Sequence, residues 1–134
     1  DTGMKVLVEN TAGGKNSVAR YMDSIERLWE VIGHLNVGLC LDTCHTWAGG
    51  IPTIDAVKGF KKLVKKIDLI HFNDSKDGFE SSRDRHENLG KGKIPKEELE
   101  YVIKNAKTDI IVETPNGPDA QKKDIAWIKR RLKK

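Results

Sequence analysis

The stretch Ile70–Gly90, IHFNDSKDGFESSRDRHENLG, passes from a buried strand into a polar segment that is rich in metal-ligand side chains. The apolar residues that lead into it are typical of a buried strand. His71 and Asp74 follow the strand, and Asp84 and His86 close the polar segment. Imidazole nitrogen and carboxylate oxygen suit zinc and related divalent ions. The stretch therefore predicts a strand that is followed, at its carboxyl end, by metal-binding residues.

The same arrangement recurs at three other places in the chain. Apolar runs at 5–8, 37–41 and 109–112 predict three more strands, beside the one at 67–72. Apolar positions at helical spacing predict a helix after each strand. The first helix begins near a cap at Asn16 or Ser17 and carries Val18 to Ile32; the others begin near Pro52, Pro95 and Pro118.

Four strand–helix units predict an α/β fold with a parallel sheet that is buried on both faces. Two architectures fit: an open doubly wound sheet, or TIM-barrel type, with four βα units forming half of a (β/α)8 barrel. No glycine-rich phosphate fingerprint follows the first strand, which argues against nucleotide binding.

Bulk composition predicts one soluble domain over residues 1–134. The hydrophobic fraction is 37%, the charged fraction is 33%, and no apolar run is long enough for a bilayer. A net charge of +4 permits an anionic partner such as nucleic acid. Cys40 and Cys44 lack the second pair of a structural zinc knuckle, so we expect reduced thiols and a cytoplasmic location without a membrane partner.

Seven side chains of metal-ligand type follow the predicted strands. Because the carboxyl ends of parallel strands share one rim, we expect them to converge. Each has an ordinary alternative alone, for example a surface acid at Glu9, a helix cap at Asp42 or an ion-pair partner at Glu113. Three imidazoles and four carboxylates together can hold more than one divalent ion. The seven are Glu9, Asp42, His45, His71, Asp84, His86 and Glu113.

Five segments of the chain, in order, resemble signatures of the endonuclease IV family of apurinic/apyrimidinic endonucleases. The segments DTCH and DRHxxLGxG are the specific ones, ENTAG is moderately specific, and ET alone is weak. The resemblance covers essentially the whole chain. The five are LVENTAG at 7–13, DTCH at 42–45 with Ala48-Gly49 after it, HFNDSK at 71–76, DRHENLGKG at 84–92 and VETP at 112–115.

The resemblance implies a TIM barrel with three Zn2+ ions that cleaves double-stranded DNA on the 5′ side of abasic sites, in base excision repair. It implies that Glu9 and Glu113 belong to the catalytic centre, with Glu9 bridging the first and second zinc. The same resemblance assigns Asp42, His71 and Glu113 to the second zinc, and His45, Asp84 and His86 to the third.

One part of the family pattern is missing. The family's first zinc takes two further histidines, and the remaining histidine here, His34, follows the first predicted helix. The chain therefore resembles the C-terminal half of such a barrel. We expect an N-terminal half-barrel or a second copy of the chain as partner, because a half-barrel leaves sheet edges and an apolar face exposed.

Two other functions fit part of the pattern. A sugar isomerase or epimerase of the xylose isomerase-like barrel type uses a single metal, for which Glu9, Asp42, His71 and Glu113 suffice. The added trio His45, Asp84 and His86 favours the nuclease. A non-catalytic zinc-binding half-barrel is the other alternative. Phosphate contacts are predicted for Lys76, Arg83, Lys91 and Lys93.

Overall fold

A parallel four-stranded sheet forms the centre of the molecule. The computed structural model describes residues 2–133, so both ends of the predicted domain, residues 1 and 134, lie outside it. The strands, in their order across the sheet, are β1 (Val6–Glu9), β2 (Val37–Asp42), β3 (Leu69–His71) and β6 (Asp109–Ile111). Two short antiparallel strands, β4 (Asp74–Ser75) and β5 (His86–Glu87), lie within the long segment after β3.

The strand order decides between the two predicted architectures. Each strand pairs in parallel with the strand that precedes it along the sheet: β2 with β1, β3 with β2, and β6 with β3. A doubly wound sheet reverses its order at a switch point, whereas the strands of a barrel continue in one direction. The observed order has no reversal, and the TIM-barrel type of fold is confirmed.

Five helices accompany the sheet, and the core lies between the sheet and these helices. Leu39, Leu41, Ile70 and Phe72 point to the helix side and are at most 1% exposed. Because side chains alternate along a strand, the intervening positions face the opposite side, which is the interior of a barrel. The helices are α1 (Met22–Ile32), α2 (Thr43–Gly49), α3 (Thr53–Leu63), α4 (Lys96–Ala106) and α5 (Gly117–Leu132).

The start of the first helix was predicted wrongly. Helix α1 begins at Met22 rather than near Ser17, and Val18 is exposed. The Ser17 hydroxyl is already hydrogen-bonded to the Thr11 hydroxyl at 2.6 Å, and the Thr11 N–H donates to the Ala19 carbonyl at 2.9 Å. These bonds hold residues 11–19 as a folded loop, so Ser17 does not cap a helix.

Helix α2 is an element that the sequence pattern did not predict. Thr, Cys, Trp and Gly are weak helix formers, and they make up most of the segment. Asp42 caps its first turn by accepting the His45 N–H, and Gly50 ends it in the left-handed conformation, with φ of +97°. The two ends therefore fix this helix more than its interior does.

Among residues 2–133, no helix combines the length and the apolar character needed to cross a membrane.

Candidate metal centre

Four of the predicted ligands meet at the strand ends, on the barrel-interior face of the sheet. The register pairs Asp42 directly with His71. His71 Nδ1 lies 2.9 Å from Glu9 Oε1 and 3.3 Å from Glu113 Oε2. Glu9, Asp42, His71 and Glu113 each offer one ligand atom within 4.8 Å of the others. We call these four residues the strand-end cluster.

The other three predicted ligands form a second group beside the first. His45 Nε2 lies 3.0 Å from one carboxylate oxygen of Asp84, and His86 Nε2 lies 3.1 Å from the other. The two rings stand 5.7 Å apart, centroid to centroid. We call His45, Asp84 and His86 the loop cluster, since Asp84 comes from the segment between β4 and β5.

Backbone carbonyls fix both imidazoles of the loop cluster. His45 Nδ1 donates to the Asn10 carbonyl at 2.7 Å, and His86 Nδ1 donates to the Glu113 carbonyl at 3.0 Å. A proton on Nδ1 leaves a lone pair on Nε2, which is how metal-binding histidines are usually oriented. Both Nε2 atoms are buried and make no aligned hydrogen bond within the described chain.

These orphaned nitrogens are the observation that tests whether a metal fits. A buried polar atom without a partner is costly, and here two such nitrogens each face an oxygen of the same carboxylate. A divalent cation between them and the Asp84 oxygens would satisfy all of these atoms at once. The residues of the loop cluster therefore fit a zinc-type ion.

Asp42 connects the two clusters. Its side chain is fully buried; Oδ1 accepts the His45 N–H at 2.9 Å, and Oδ2 lies 3.6 Å from His86 Nε2. Burial raises the pKa of Asp42, because the charged carboxylate is poorly solvated. A nearby cation would offset that cost. Asp42 therefore caps helix α2 and is also placed as a candidate ligand.

The pKa of His45 reflects the same negative surroundings. Burial alone would lower it, but Asp42, the Asn10 carbonyl, Asp84 and Glu9 outweigh that effect, and the pKa is raised. The carboxylates thus attract positive charge to the imidazole. A proton and a metal ion would compete for Nε2.

Ser82 fixes the Asp84 segment against helix α2. Its N–H donates to the Ala48 carbonyl at 2.9 Å, and its hydroxyl accepts a 2.8 Å hydrogen bond from the buried Arg20 guanidinium. The Arg20 Nε donates to the Gly49 carbonyl at 3.1 Å. Since α2 carries His45, these bonds hold Asp84 and His45 in a fixed relation.

Asp74, which the sequence places just after the strand, has a structural role instead. Its carboxylate is fully buried and accepts four backbone N–H groups, from Ser75, Gly90, Gly92 and Ile94. Burial raises its pKa, while these hydrogen bonds act in the opposite direction. Asp74 therefore shapes the 90–94 segment.

Sequence reasoning missed two buried asparagines that orient the ligands. Asn73 donates to Asp42 Oδ2 at 2.9 Å and accepts the Glu113 N–H at 2.8 Å. Asn10 accepts the Asp42 N–H at 2.8 Å, beside its carbonyl contact with His45. Both lie within two residues of a candidate ligand, and that proximity was the available signal.

Both cysteines lie close to the clusters as buried thiols. Burial raises the pKa of Cys40 and that of Cys44 to about 12 each. Cys40 lies with Glu9 and His71, and Cys44 with Asp84 and His86, in groups whose ligand atoms are within 4.8 Å of one another. The four cations predicted to contact phosphate are all exposed: Lys76, Arg83, Lys91 and Lys93. His34 is exposed just beyond the end of α1.

Comparison with known proteins agrees with this geometry. A family model described as xylose isomerase-like TIM barrel matches residues 1–131. A protein of Mycobacterium tuberculosis strain H37Ra named probable endonuclease 4 is 47% identical over 131 residues, which are 98% of this chain and 51% of that protein. The chain spans about half the length of the curated relatives it matches.

Two solved structures show the same fold. The crystal structure of endonuclease IV from Thermus thermophilus superposes with a TM-score of 0.78 at 30% identity, covering 96% of this chain and 50% of that one. A D-tagatose 3-epimerase-like protein superposes with a TM-score of 0.70 at 20% identity, covering 98% and 48%. The resemblance to endonuclease IV predicted from the motifs is confirmed. The chain belongs to the xylose isomerase-like TIM barrel family.

Proposed function

We propose that this chain supplies most of the metal centre of a DNA repair endonuclease. The enzyme would hydrolyse the phosphodiester bond on the 5′ side of an abasic site, with zinc held by the strand-end cluster and the loop cluster. Relatives named probable endonuclease 4, at 47% identity, support the nuclease assignment. The complete activity is proposed for the full-length protein, meaning this chain together with the other half of the barrel, since the chain spans about half the length of those relatives.

The pair of orphaned Nε2 atoms on His45 and His86 is the observation that carries the proposal. A one-metal enzyme needs only the strand-end cluster. The loop cluster is a further set of nitrogen and oxygen ligands, and Asp42 lies within ligand distance of both of its imidazoles. Two adjacent metal sets suit phosphodiester hydrolysis, in which charge develops on both the attacking and the leaving oxygen.

Each candidate residue has a defined part in this proposal. The glutamates Glu9 and Glu113 reach His71 from both sides and would share a metal with it and with Asp42. The loop cluster would hold a separate ion. Bound divalent ions supply charge neutralisation at the phosphate and a hydrolytic water that is active near neutral pH. The protein needs no nucleophilic side chain of its own.

The charge of the two clusters explains why cations must be present before DNA. Four carboxylates surround three imidazoles, and an anionic phosphate would be repelled from them. Bound cations would make the net charge of the centre positive, so that it attracts the phosphate. A nucleotide without its base leaves the helical stack at lower cost, which favours abasic substrates.

A barrel partner and a cytoplasmic location are parts of the same proposal. Within the described residues, β1 and β6 each pair on one side only, so a further strand at each edge would continue the sheet toward a closed barrel. An N-terminal half-barrel or a second copy would supply those strands. Two buried free thiols suit a reducing compartment.

A sugar isomerase or epimerase is the second candidate. The strand-end cluster is by itself a four-ligand set of the kind that such one-metal barrels use. Under this alternative the loop cluster would have no role in the reaction. Activity assays with abasic DNA and with sugars distinguish the two functions directly.

The test is incision of a DNA duplex that carries a single abasic site, with the full-length protein. We expect a break on the 5′ side of the lesion, loss of activity after chelation, and recovery with added zinc. Asp84→Asn should abolish incision, whereas Glu80→Gln, an exposed acid of the same segment, should not. Interconversion of aldose and ketose without incision would favour the isomerase. Zinc binding with neither activity would leave a non-catalytic zinc-binding protein.

A further inference from the structure

A groove with a basic lining lies beside the metal centre. It has a volume of about 380 Å3 and runs between helix α5 and the 88–91 segment. Its cations are Lys91, Lys123 and Arg130. We call this feature the basic groove.

Two residues that line the groove lie close in the sequence to candidate ligands. Asn88 comes two residues after His86, and Asn116 comes three residues after Glu113. An extended chain spans at most about 3.5 Å per residue, so Asn88 lies within roughly 7 Å of His86, Cα to Cα. The Asn116 side chain donates to Asn88 Oδ1 at 2.7 Å, which joins the two walls. The groove therefore begins where the loop cluster ends.

The cations of the groove are not neutralised by the protein. In the part of the chain that the structure describes, Lys91, Lys123 and Arg130 form no ion pair. The acid Asp124 also lines the groove, but it is buried, and its two oxygens accept the Asn88 amide at 2.7 Å and the Leu89 N–H at 2.9 Å.

The charges near the basic groove also include the acid Asp119 and the cation Arg131. Asp119 is exposed in the first turn of α5, so three cations line the groove with two carboxylates, of which Asp124 is buried. By contrast Arg131, on the same helix, is paired with Glu100 at 3.0 Å and stacks on the Trp127 ring at 3.5 Å. The cation with a structural role is thus paired, whereas those of the groove are not.

Trp127 forms a wall of the groove and adds an unused donor. Its indole nitrogen faces Gly90 so closely that a Cβ at Gly90 would lie 3.1 Å from Nε1. Within residues 2–133 this N–H has no hydrogen-bond acceptor. The groove therefore offers cationic groups and a neutral donor together, a combination that suits an oxyanion.

We propose that the basic groove binds backbone phosphates of the DNA strand that is held at the metal centre. The inference rests on the proposed function and deepens it. Each strand of duplex DNA presents a phosphate about every 3.4 Å along the axis, so a strand held at the loop cluster brings further phosphates within reach of the groove. Contacts of this kind position the duplex and carry no sequence information.

Helix α5 provides matched controls for this proposal. Lys122 precedes Lys123, and Lys129 precedes Arg130, but Lys122 and Lys129 lie outside the basic groove. The variants Lys123→Gln and Arg130→Gln therefore differ from Lys122→Gln and Lys129→Gln in position and not in formal charge. All four side chains are exposed, so the fold should survive each change.

The experiment measures the dissociation constant of the full-length protein for a duplex with an abasic-site analogue, between 50 and 200 mM salt. Each groove variant should weaken binding about threefold at low salt and reduce the slope of log K against log salt by about 0.9. Binding to an intact duplex should fall by the same factor. The two control variants should bind like the wild type.

Two results would overturn the proposal. Unchanged binding by Lys123→Gln and Arg130→Gln would remove the groove from the interface. An equal loss in all four variants would show an effect of net charge alone. In both cases wild-type incision would persist, whereas a wild type that neither binds nor incises abasic DNA would overturn the proposed function itself.

Discussion

Asn73 connects two candidate ligands through one buried side chain. Its amide donates to Asp42 and accepts the backbone N–H of Glu113, and the residue is fully buried. Partners of this kind orient metal ligands and tune their affinity without contacting the metal. Sequence patterns carry no direct sign of this role, because an asparagine after a strand is common in any loop.

We predict that Asn73→Ala weakens zinc binding by 10- to 100-fold and destabilises the fold by about 2 kcal/mol. The change leaves a buried carboxylate oxygen and a backbone N–H without partners. Zinc titration and urea unfolding measure the two effects. Asn105→Ala is the control, since the Asn105 side chain donates to the Tyr101 carbonyl in α4 and not to a candidate ligand. Equal zinc affinity in both variants would contradict this role for Asn73.

The cysteines lead to a prediction about alkaline pH. Their pKa is raised from 9.0 to about 12 in the folded protein, so between pH 9 and 12 the unfolded chain loses protons that the folded chain keeps. The free energy of unfolding should therefore fall as pH rises, by about 1.4 kcal/mol per pH unit for each thiol. In urea unfolding, the double variant Cys40→Ala/Cys44→Ala should show a free energy of unfolding that depends less steeply on pH than that of the wild type. Iodoacetamide should modify the wild type only after denaturation, and rapid labelling of the native thiols would contradict burial as the cause.

At the level of elements, the four strands and four of the five helices could be predicted, because each has a regular apolar pattern. Helix α2 and the β4–β5 pair could not. Helix α2 depends on the caps at its two ends, and β4 carries Asp74, whose carboxylate accepts hydrogen bonds from the distant 90–94 segment. These unpredicted elements carry His45, and they present Asp84 and His86, so the loop cluster is the part of the site least visible in secondary-structure patterns.

The attachment of the 78–85 segment to α2 provides a prediction at this scale. Ser82→Ala removes the acceptor of the buried Arg20 and should loosen Asp84, lowering the metal affinity of the loop cluster by about tenfold. The strand-end cluster should keep its affinity. Cobalt absorption titrations distinguish the two sites. Ser81→Ala is the adjacent control, because Ser81 only accepts the Arg83 N–H locally. A uniform loss at both clusters would indicate general destabilisation instead.

For the whole molecule, alternation of strands and helices limited the fold to two architectures, and the strand order selected the barrel type. The rim that gathers the seven predicted ligands follows from the parallel sheet, since the carboxyl ends of its strands lie together. Their division into two clusters did not follow from the pattern alone. It depends on which nitrogen of each imidazole faces inward, and backbone carbonyls decide that.

The number of zinc ions held by the full-length protein shows whether the loop cluster is a metal site. Zinc-saturated, dialysed samples of the wild type, Asp84→Asn and Glu80→Gln would be analysed by mass spectrometry of the metal. We expect more than one zinc per molecule in the wild type and in Glu80→Gln, and one fewer in Asp84→Asn. A single zinc in all three proteins would contradict the existence of the loop cluster as a metal site.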